Sequence, residues 1–162
     1  MDGVGGILVY FSLYIAMTAG AFACVLMMSR GGQAVESIGD LAGLSRTRPY
    51  VAFSFGVLMF SMAGIPPFSG FFSKLYVFLP AIHASLYGLA VVGVVSSVIA
   101  CYYYLKIVKL MYFDEAVLPF DMDVAGPVRL VLIFSIAITL LFIVIPAPLV
   151  SAAHIAAAAL FP

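Results

Sequence analysis

The sequence predicts an all-α membrane protein with four transmembrane passes, the second of which is a helix broken at two prolines. Of its 162 residues, 65% are hydrophobic and only 9% are charged, whereas a water-soluble domain carries roughly a quarter of charged residues. Its apolar runs reach the roughly 20 residues that a helix needs to cross a bilayer. The formal net charge is zero. This composition excludes an ordinary soluble enzyme, a disordered segment and a nucleic-acid-binding protein, and it makes the lipid bilayer the expected surroundings.

Four apolar regions are predicted to form one transmembrane domain over residues 1–162. They are residues 4–28, 50–83, 86–112 and 128–146. The first run has no basic residues before it and is too long for the apolar part of a signal peptide, so we interpret it as a span. The second run is too long for one straight helix and too short for two helices joined by a turn.

Residues 64–69 are predicted to interrupt the second pass. The segment reads AGIPPFSG over residues 63–70, and its consecutive prolines, Pro66 and Pro67, remove two backbone donors and clash with the preceding turn. Gly64 and Gly70 flank them. Irregular backbone at membrane depth is tolerated only where protein or a water-filled cavity covers it, and broken helices of transporters often line ion sites. The break therefore marks a candidate ion pathway.

The positions of the basic residues favour one broken pass over two separate passes. Lys and Arg collect in cytoplasmic loops, and six of the seven basic residues border two loops: Arg30, Arg46, Arg48, Lys106, Lys109 and Arg129. A single broken pass places all six on one side of the membrane, whereas two passes would separate them. We therefore expect four passes with both chain termini on the outer side.

Lys74, the remaining basic residue, is the main candidate for a functional site. It lies in the expected first turn of the second half-helix, and a charged Lys at membrane depth costs about 2.5 to 3.5 kcal/mol. The expected role is proton relay, and the alternative is that the side chain reaches the interface along its own methylenes. His83 is a second candidate relay residue, with a structural role at the interface as its alternative.

The acidic residues do not complete a relay. All seven lie outside the predicted passes: Asp2, Glu36, Asp40, Asp114, Glu115, Asp121 and Asp123. A proton path across the membrane needs several titratable groups or water, so other chains or a further part of this one must supply them. No nucleophile triad, phosphate-binding loop or metal-ligand cluster is present in the sequence. We predict no catalytic residue, cofactor-binding site or metal site.

Two further segments carry weaker predictions. Tyr102, Tyr103 and Tyr104 precede Lys106, which is typical of an aromatic belt at the membrane surface. Residues 33–44 space apolar side chains at helical intervals, which predicts a short interfacial helix.

Three stretches resemble the antiporter-like, proton-conducting membrane subunits of bacterial NADH:quinone oxidoreductase, respiratory complex I. They are residues 60–74 around the prolines, residues 102–106 and residues 111–112. Within that family the chain resembles the carboxyl-terminal part of the N type. Lys74 stands where the M type carries Glu, and residues 75–78 lack the acidic pair that usually follows in the L type. Mrp-type cation/proton antiporter subunits and membrane-bound hydrogenase subunits share the motif and stay open, as does a non-transporting truncated scaffold.

The resemblance implies that Lys74 belongs to the half-channel leading to the outer face of the inner membrane, with the carboxyl end on the periplasmic side. It also implies partners, namely the other membrane-arm subunits and the amino-terminal part of the same subunit. NADH, FMN, iron–sulfur clusters and quinone would belong to the whole complex and not to this chain. A full subunit is about three times as long, so we expect either a fragment or one piece of a split subunit.

Overall fold

The computed structural model describes residues 3–35, 37–116, 120–121 and 126–160. Asp2, Glu36 and Asp123, three of the acidic residues predicted to lie outside the passes, fall outside this described part. Helices dominate it, so the all-α prediction is confirmed apart from one small hairpin. The helices are α1 (Gly3–Leu26), α2 (Leu44–Thr47), α3 (Pro49–Ala63), α4 (Ser69–His83), α5 (Tyr87–Phe113), α6 (Gly126–Val144) and α7 (Ala147–Leu160).

Within the described part of the chain, three helices are long and apolar enough to cross a membrane, namely α1, α5 and α6. Helices α3 and α4 have 15 residues each, or about 22 Å at 1.5 Å per residue. A hydrocarbon core of about 30 Å is thicker than either helix alone. Helix α3 is apolar but short, and so is α7.

Helix α1 lies antiparallel to α3 and α4 together. Near its start, Gly3 faces Pro80 and Gly6 lies against the backbone of Tyr76, both in α4. Further along, Met17 contacts Ser61, and Gly20 lies against Leu58, both in α3. As the residue number rises along α1, the number of the contacting residue falls, first through α4 and then through α3. Helix α6 packs on the same part of α1, where Ser135 approaches Gly20.

The loop between α1 and α3 forms a hairpin, and the predicted interfacial helix over residues 33–44 is wrong. Strands β1 (Ser29–Arg30) and β2 (Gln33–Ala34) pair antiparallel, and a 3-10 helix (Ile38–Leu41) follows. Gly31 and Gly32, with φ of 60° and 75°, form the two-residue turn that such a hairpin requires. The apolar spacing predicts one helix, but residues 33–34 pair with β1 as a strand, and Gly43, at φ 65°, separates the 3-10 helix from α2.

Both loops that carry basic residues meet at one end of the bundle. The amides of Gly31 and Gly32 donate to the Asp121 carboxylate at 3.1 and 2.9 Å, and the Asp121 amide donates to the Ser29 carbonyl at 2.8 Å. The guanidinium of Arg30 lies 5.2 Å from the centre of the Phe120 ring. These contacts join the α1–α3 loop to the segment that precedes α6.

Candidate functional site

The site begins where α3 ends. Gly64 caps the helix in the left-handed region, at φ 84°, and its amide donates to the Ser61 carbonyl at 2.9 Å. The amide of Ile65 donates back to the Phe60 carbonyl at 3.2 Å, which gives the paired bonds of a glycine C-cap. Residues 64–68 are not helical, and they contain both prolines.

Helix α4 begins against the last turn of α3. The amide of Gly70 donates to the Ser61 hydroxyl at 3.0 Å, and that hydroxyl lies 3.2 Å from the hydroxyl of Ser69. A Cβ on Gly70 would collide with the Ser61 carbonyl oxygen. The structure therefore places Gly70 inside α4, in its first turn, and not in the irregular segment itself. Its lack of a side chain lets the two half-helices touch.

Lys74 reaches from α4 back to the carboxyl end of α3. Its ammonium donates to the carbonyls of Met62 and Ala63 at 3.0 and 3.3 Å, and the side chain is half-buried. Carbonyls at a helix carboxyl end carry partial negative charge and favour a cation. Lys74 is the sixth residue of α4, so it lies in the second turn. The sequence analysis placed it in the first turn, which is wrong. This shift directs its side chain back over Gly64.

A cavity of about 430 Å³ opens beside Lys74 between α1, α3, α4 and α5. Six of its lining residues carry hydroxyl groups, namely Tyr10, Tyr14, Ser73, Ser96, Ser97 and Tyr104, and most of the others are apolar. The rings of Tyr10 and Tyr14 stack with their centres 5.8 Å apart. Among the described lining residues Lys74 is the one charged group. A cavity of this volume has room for water, and its hydroxyl groups and ammonium are partners that such water could bridge.

The structure separates the other predicted site residue from Lys74. His83 is the last residue of α4 and is exposed, about 13 Å along the helix from Lys74, and it is absent from the cavity lining. It therefore offers Lys74 no direct proton acceptor. Lys109 forms an ion pair with Asp114 at 2.6 Å on the exposed surface, and Lys106 is exposed as well.

The three consecutive tyrosines do not act as one belt. Tyr102 and Tyr103 are 64% and 61% exposed, whereas Tyr104 faces the cavity. The sequence reasoning missed Tyr104 and the serines of α5 as site residues. Their spacing carried the signal, because residues 93, 96, 97, 100 and 104 share one helical face. The polar members of this face, Ser96, Ser97 and Tyr104, are difficult to recognise in the sequence because strongly apolar residues lie between them.

The described residues offer no cluster of metal-ligating side chains. They contain no group of three or more His, Cys, Asp and Glu side chains that could hold a metal ion. Cys24 is buried in α1 and Cys101 lies in α5, and an iron–sulfur cluster held by cysteines alone needs four converging thiolates. What the site does offer is an ammonium, several hydroxyl groups and space for water, and these groups support proton exchange.

Relatives of known identity match almost the entire chain. It is 53% identical to NADH-quinone oxidoreductase subunit N of Parvibaculum lavamentivorans over 161 residues, which is 99% of this chain and 33% of the relative. The subunit N of Paramagnetospirillum magneticum matches at 53% over 160 residues, with the same coverage. The chain thus spans about a third of the length of these curated relatives.

A solved structure and a family model agree with these relatives. A chain of respiratory complex I from Thermus thermophilus, solved with bound aureothin, superposes with a TM-score of 0.78 at 26% identity, over 91% of this chain and 34% of that one. The family model for the transmembrane part of NADH:quinone oxidoreductase and Mrp antiporter subunits matches residues 1–100, which contain the break and Lys74. The chain belongs to the NADH:quinone oxidoreductase/Mrp antiporter transmembrane family.

Proposed function

We propose that this chain is the carboxyl-terminal part of a proton-translocating membrane-arm subunit of NADH:quinone oxidoreductase. Lys74 is the titrating relay residue of the proposed half-channel. The chain carries no redox chemistry of its own, and NADH, FMN, iron–sulfur clusters and quinone are used elsewhere in the complex. Its partners are the other membrane-arm subunits and the amino-terminal part of the same subunit. The names and the coverage of the relatives support this choice over an Mrp-type antiporter or a hydrogenase subunit.

One observation carries the proposal, namely the position of the Lys74 ammonium between two environments. On one side, the carbonyls that end α3 accept its hydrogen bonds. On the other side lies the hydroxyl-lined cavity. A proton released by Lys74 enters a region that water and hydroxyl groups can bridge, while the carbonyls stabilise the ammonium when the proton returns.

The proposed topology has four passes, with α3 and α4 forming one broken pass. Two observations support it. Helix α1 contacts α4 and α3 in one continuous antiparallel order, as it would beside a single interrupted helix. The bonds from Gly31 and Gly32 to Asp121 hold both basic loops at the same end of the bundle. Both termini then lie on the periplasmic side of the bacterial inner membrane, and the basic loops face the cytoplasm.

Replacing Lys74 in the complete enzyme tests the proposal. Lys74→Ala removes the titrating group, and we expect coupled proton pumping and quinone reduction to fall several-fold in membrane vesicles. Lys74→Arg is the sharper variant, because a guanidinium keeps the positive charge but does not release its proton. A relay role therefore predicts that Arg fails to restore pumping.

Lys106→Ala is the matched control, because it removes the same charged group from an exposed site on the next helix. We expect nearly normal pumping from it. Pumping at the wild-type rate in the Lys74→Ala enzyme, with assembly verified, would refute the relay role. Wild-type pumping in the Lys74→Arg enzyme would instead mean that Lys74 contributes its positive charge to the structure and does not exchange a proton. Unchanged proton leak in liposomes containing the isolated chain would agree with a need for the remaining part of the subunit.

A further inference from the structure

The cavity beside Lys74 ends before the turn that joins α4 to α5. On α4 its lining stops at Phe78, and on α5 it starts at Gly93. Within the described part of the chain, no residue from 79 to 92 lines it. Helix α4 ends at His83 and α5 begins at Tyr87, so about 8 Å of each helix separates the cavity from the turn. In the proposed topology this turn faces the outer side of the membrane.

The Phe78 ring lies at this end of the cavity, against α5. A Cβ added to Gly93 would be 2.6 Å from the Cε1 atom of the ring. Because Gly93 has no side chain, the ring packs close to the backbone of α5, where a larger residue would push it away. Phe78 lies one helical turn, about 6 Å, beyond Lys74 along α4. The ring therefore stands between the ammonium and the α4–α5 turn.

The two sides of this contact differ in polarity. On the side of Lys74, Ser96 and Ser97 lie within about one turn of Gly93 and line the cavity. On the side of the turn, the next residues of the two helices are apolar, namely Ala81, Ile82, Leu89 and Ala90. Tyr14 and Ser96 are exposed, so in this chain the cavity is open on its flank and closed toward the turn.

From this arrangement we propose that Phe78 is the gate between the Lys74 cavity and the outer surface. An apolar constriction excludes the water chain that carries a proton, and channels use such constrictions to gate by dewetting. Movement of the ring away from Gly93 admits water and opens the exit, and its return prevents protons from flowing back. The inference rests on the proposed relay role of Lys74, since it concerns the path by which that proton leaves.

The test measures access to the cavity by a water-soluble thiol reagent. In the complete enzyme without Cys24 and Cys101, Ser97→Cys places a thiol on the Lys74 side of the ring. Intact spheroplasts are treated with a cationic methanethiosulfonate, and labelling of the subunit is followed by mass spectrometry. We expect labelling about tenfold faster in Phe78→Ala than with Phe78 present. Phe78→Leu should give an intermediate rate, and it serves as the test if the Ala variant does not assemble.

Leu79→Ala is the matched control, because Leu79 is the next residue of α4, is 40% exposed and does not line the cavity. It should leave the labelling rate unchanged. Equal acceleration in Leu79→Ala and Phe78→Ala would overturn the gate in favour of a general loosening of α4. No acceleration in the assembled Phe78 variants would overturn it outright. Acceleration only in inverted vesicles would overturn the assignment of the exit to the outer side.

Pumping measurements separate this inference from the proposed relay. Phe78→Ala should retain quinone reduction but lower the number of protons pumped per quinone, because protons flow back through the open exit. Lys74→Ala should lower both rates together. Normal pumping in Lys74→Ala with faster labelling in Phe78→Ala would overturn the relay and leave Phe78 as a barrier to water alone. Impaired pumping in Lys74→Ala with unchanged labelling in Phe78→Ala would overturn the gate and leave the relay.

Discussion

Gly64 links the shape of the helix break to the position of the Lys74 ammonium. Its backbone lies in the left-handed region at φ 84°, which costs an L-residue roughly 1 to 2 kcal/mol. A Cβ at this position would also lie 3.0 Å from the Lys74 nitrogen. One residue thus ends α3 and leaves the space that the lysine side chain crosses.

Gly64→Ala should therefore lower the free energy of unfolding by about 1 kcal/mol or more and displace the ammonium from its two carbonyls. Thermal unfolding in detergent measures the first effect, and pumping by the complete enzyme measures the second. Gly88→Ala is the control, because Gly88 lies in α5 and a Cβ added there would meet nothing within 4 Å. Equal stability of the Gly64 and Gly88 variants would contradict this account.

Between secondary-structure elements, Ser61 joins α3 to α4. It is fully buried, and its hydroxyl accepts the Gly70 amide and contacts Ser69. Since a buried donor left without a partner costs about 1 to 3 kcal/mol, Ser61→Ala should destabilise the contact between α3 and α4 by that amount. Equilibrium unfolding in detergent measures it.

Ser12→Ala is the comparison for that experiment, because Ser12 is exposed and bonds only to a carbonyl of its own helix. Its replacement should change stability by less than about 0.5 kcal/mol. A Ser61 variant as stable as the Ser12 variant would mean that the hydroxyl does not hold the half-helices together.

Asp121 joins the two basic loops and makes their contact dependent on pH. Hydrogen bonds from the backbone amides of Gly32 and Gly31 hold the pKa of its carboxyl below the ordinary value. A carboxyl with a lowered folded-state pKa stabilises the folded loop at higher pH, and that contribution is lost as pH falls below about 4. Faster hydrogen exchange at the Gly31 and Gly32 amides, relative to their intrinsic rates, should report the loss. Asp121→Asn should abolish this pH dependence, and an unchanged profile in Asp121→Asn would contradict it.

At the scale of the molecule, the proposed topology predicts which loops share a side. In a background without Cys24 and Cys101, Arg46→Cys and Glu115→Cys should react with a membrane-impermeant maleimide only after the inner membrane is opened. Ser151→Cys, exposed in α7, should react in intact spheroplasts. Five passes would instead put residues 46 and 115 on opposite sides, so labelling of only one of them from outside would refute four passes.

Much of the fold could be predicted because its causes are local. Hydropathy identifies apolar helices, and the missing backbone donors of Pro66 and Pro67 keep residues 64–68 from being helical. The hairpin at Gly31 and Gly32 was missed because the apolar spacing of residues 35, 38, 41 and 44, which follow the turn, was extended back to residue 33. Helix α7 was missed because its Ala-rich sequence carries no sharp boundary, and alanine favours helix without indicating burial.

Composition and proline chemistry act without distant contacts, so the sequence alone specifies a membrane-embedded, helical chain and sets Lys74 apart from the other basic residues, close to the two prolines. The contacts of Lys74 depend instead on how the helices pack. This packing separated Tyr104 from Tyr102 and Tyr103, brought Tyr10 and Tyr14 to the same cavity, and left His83 outside it. The physical reason is that a cavity forms between helices distant in sequence, and no local pattern specifies which faces will meet.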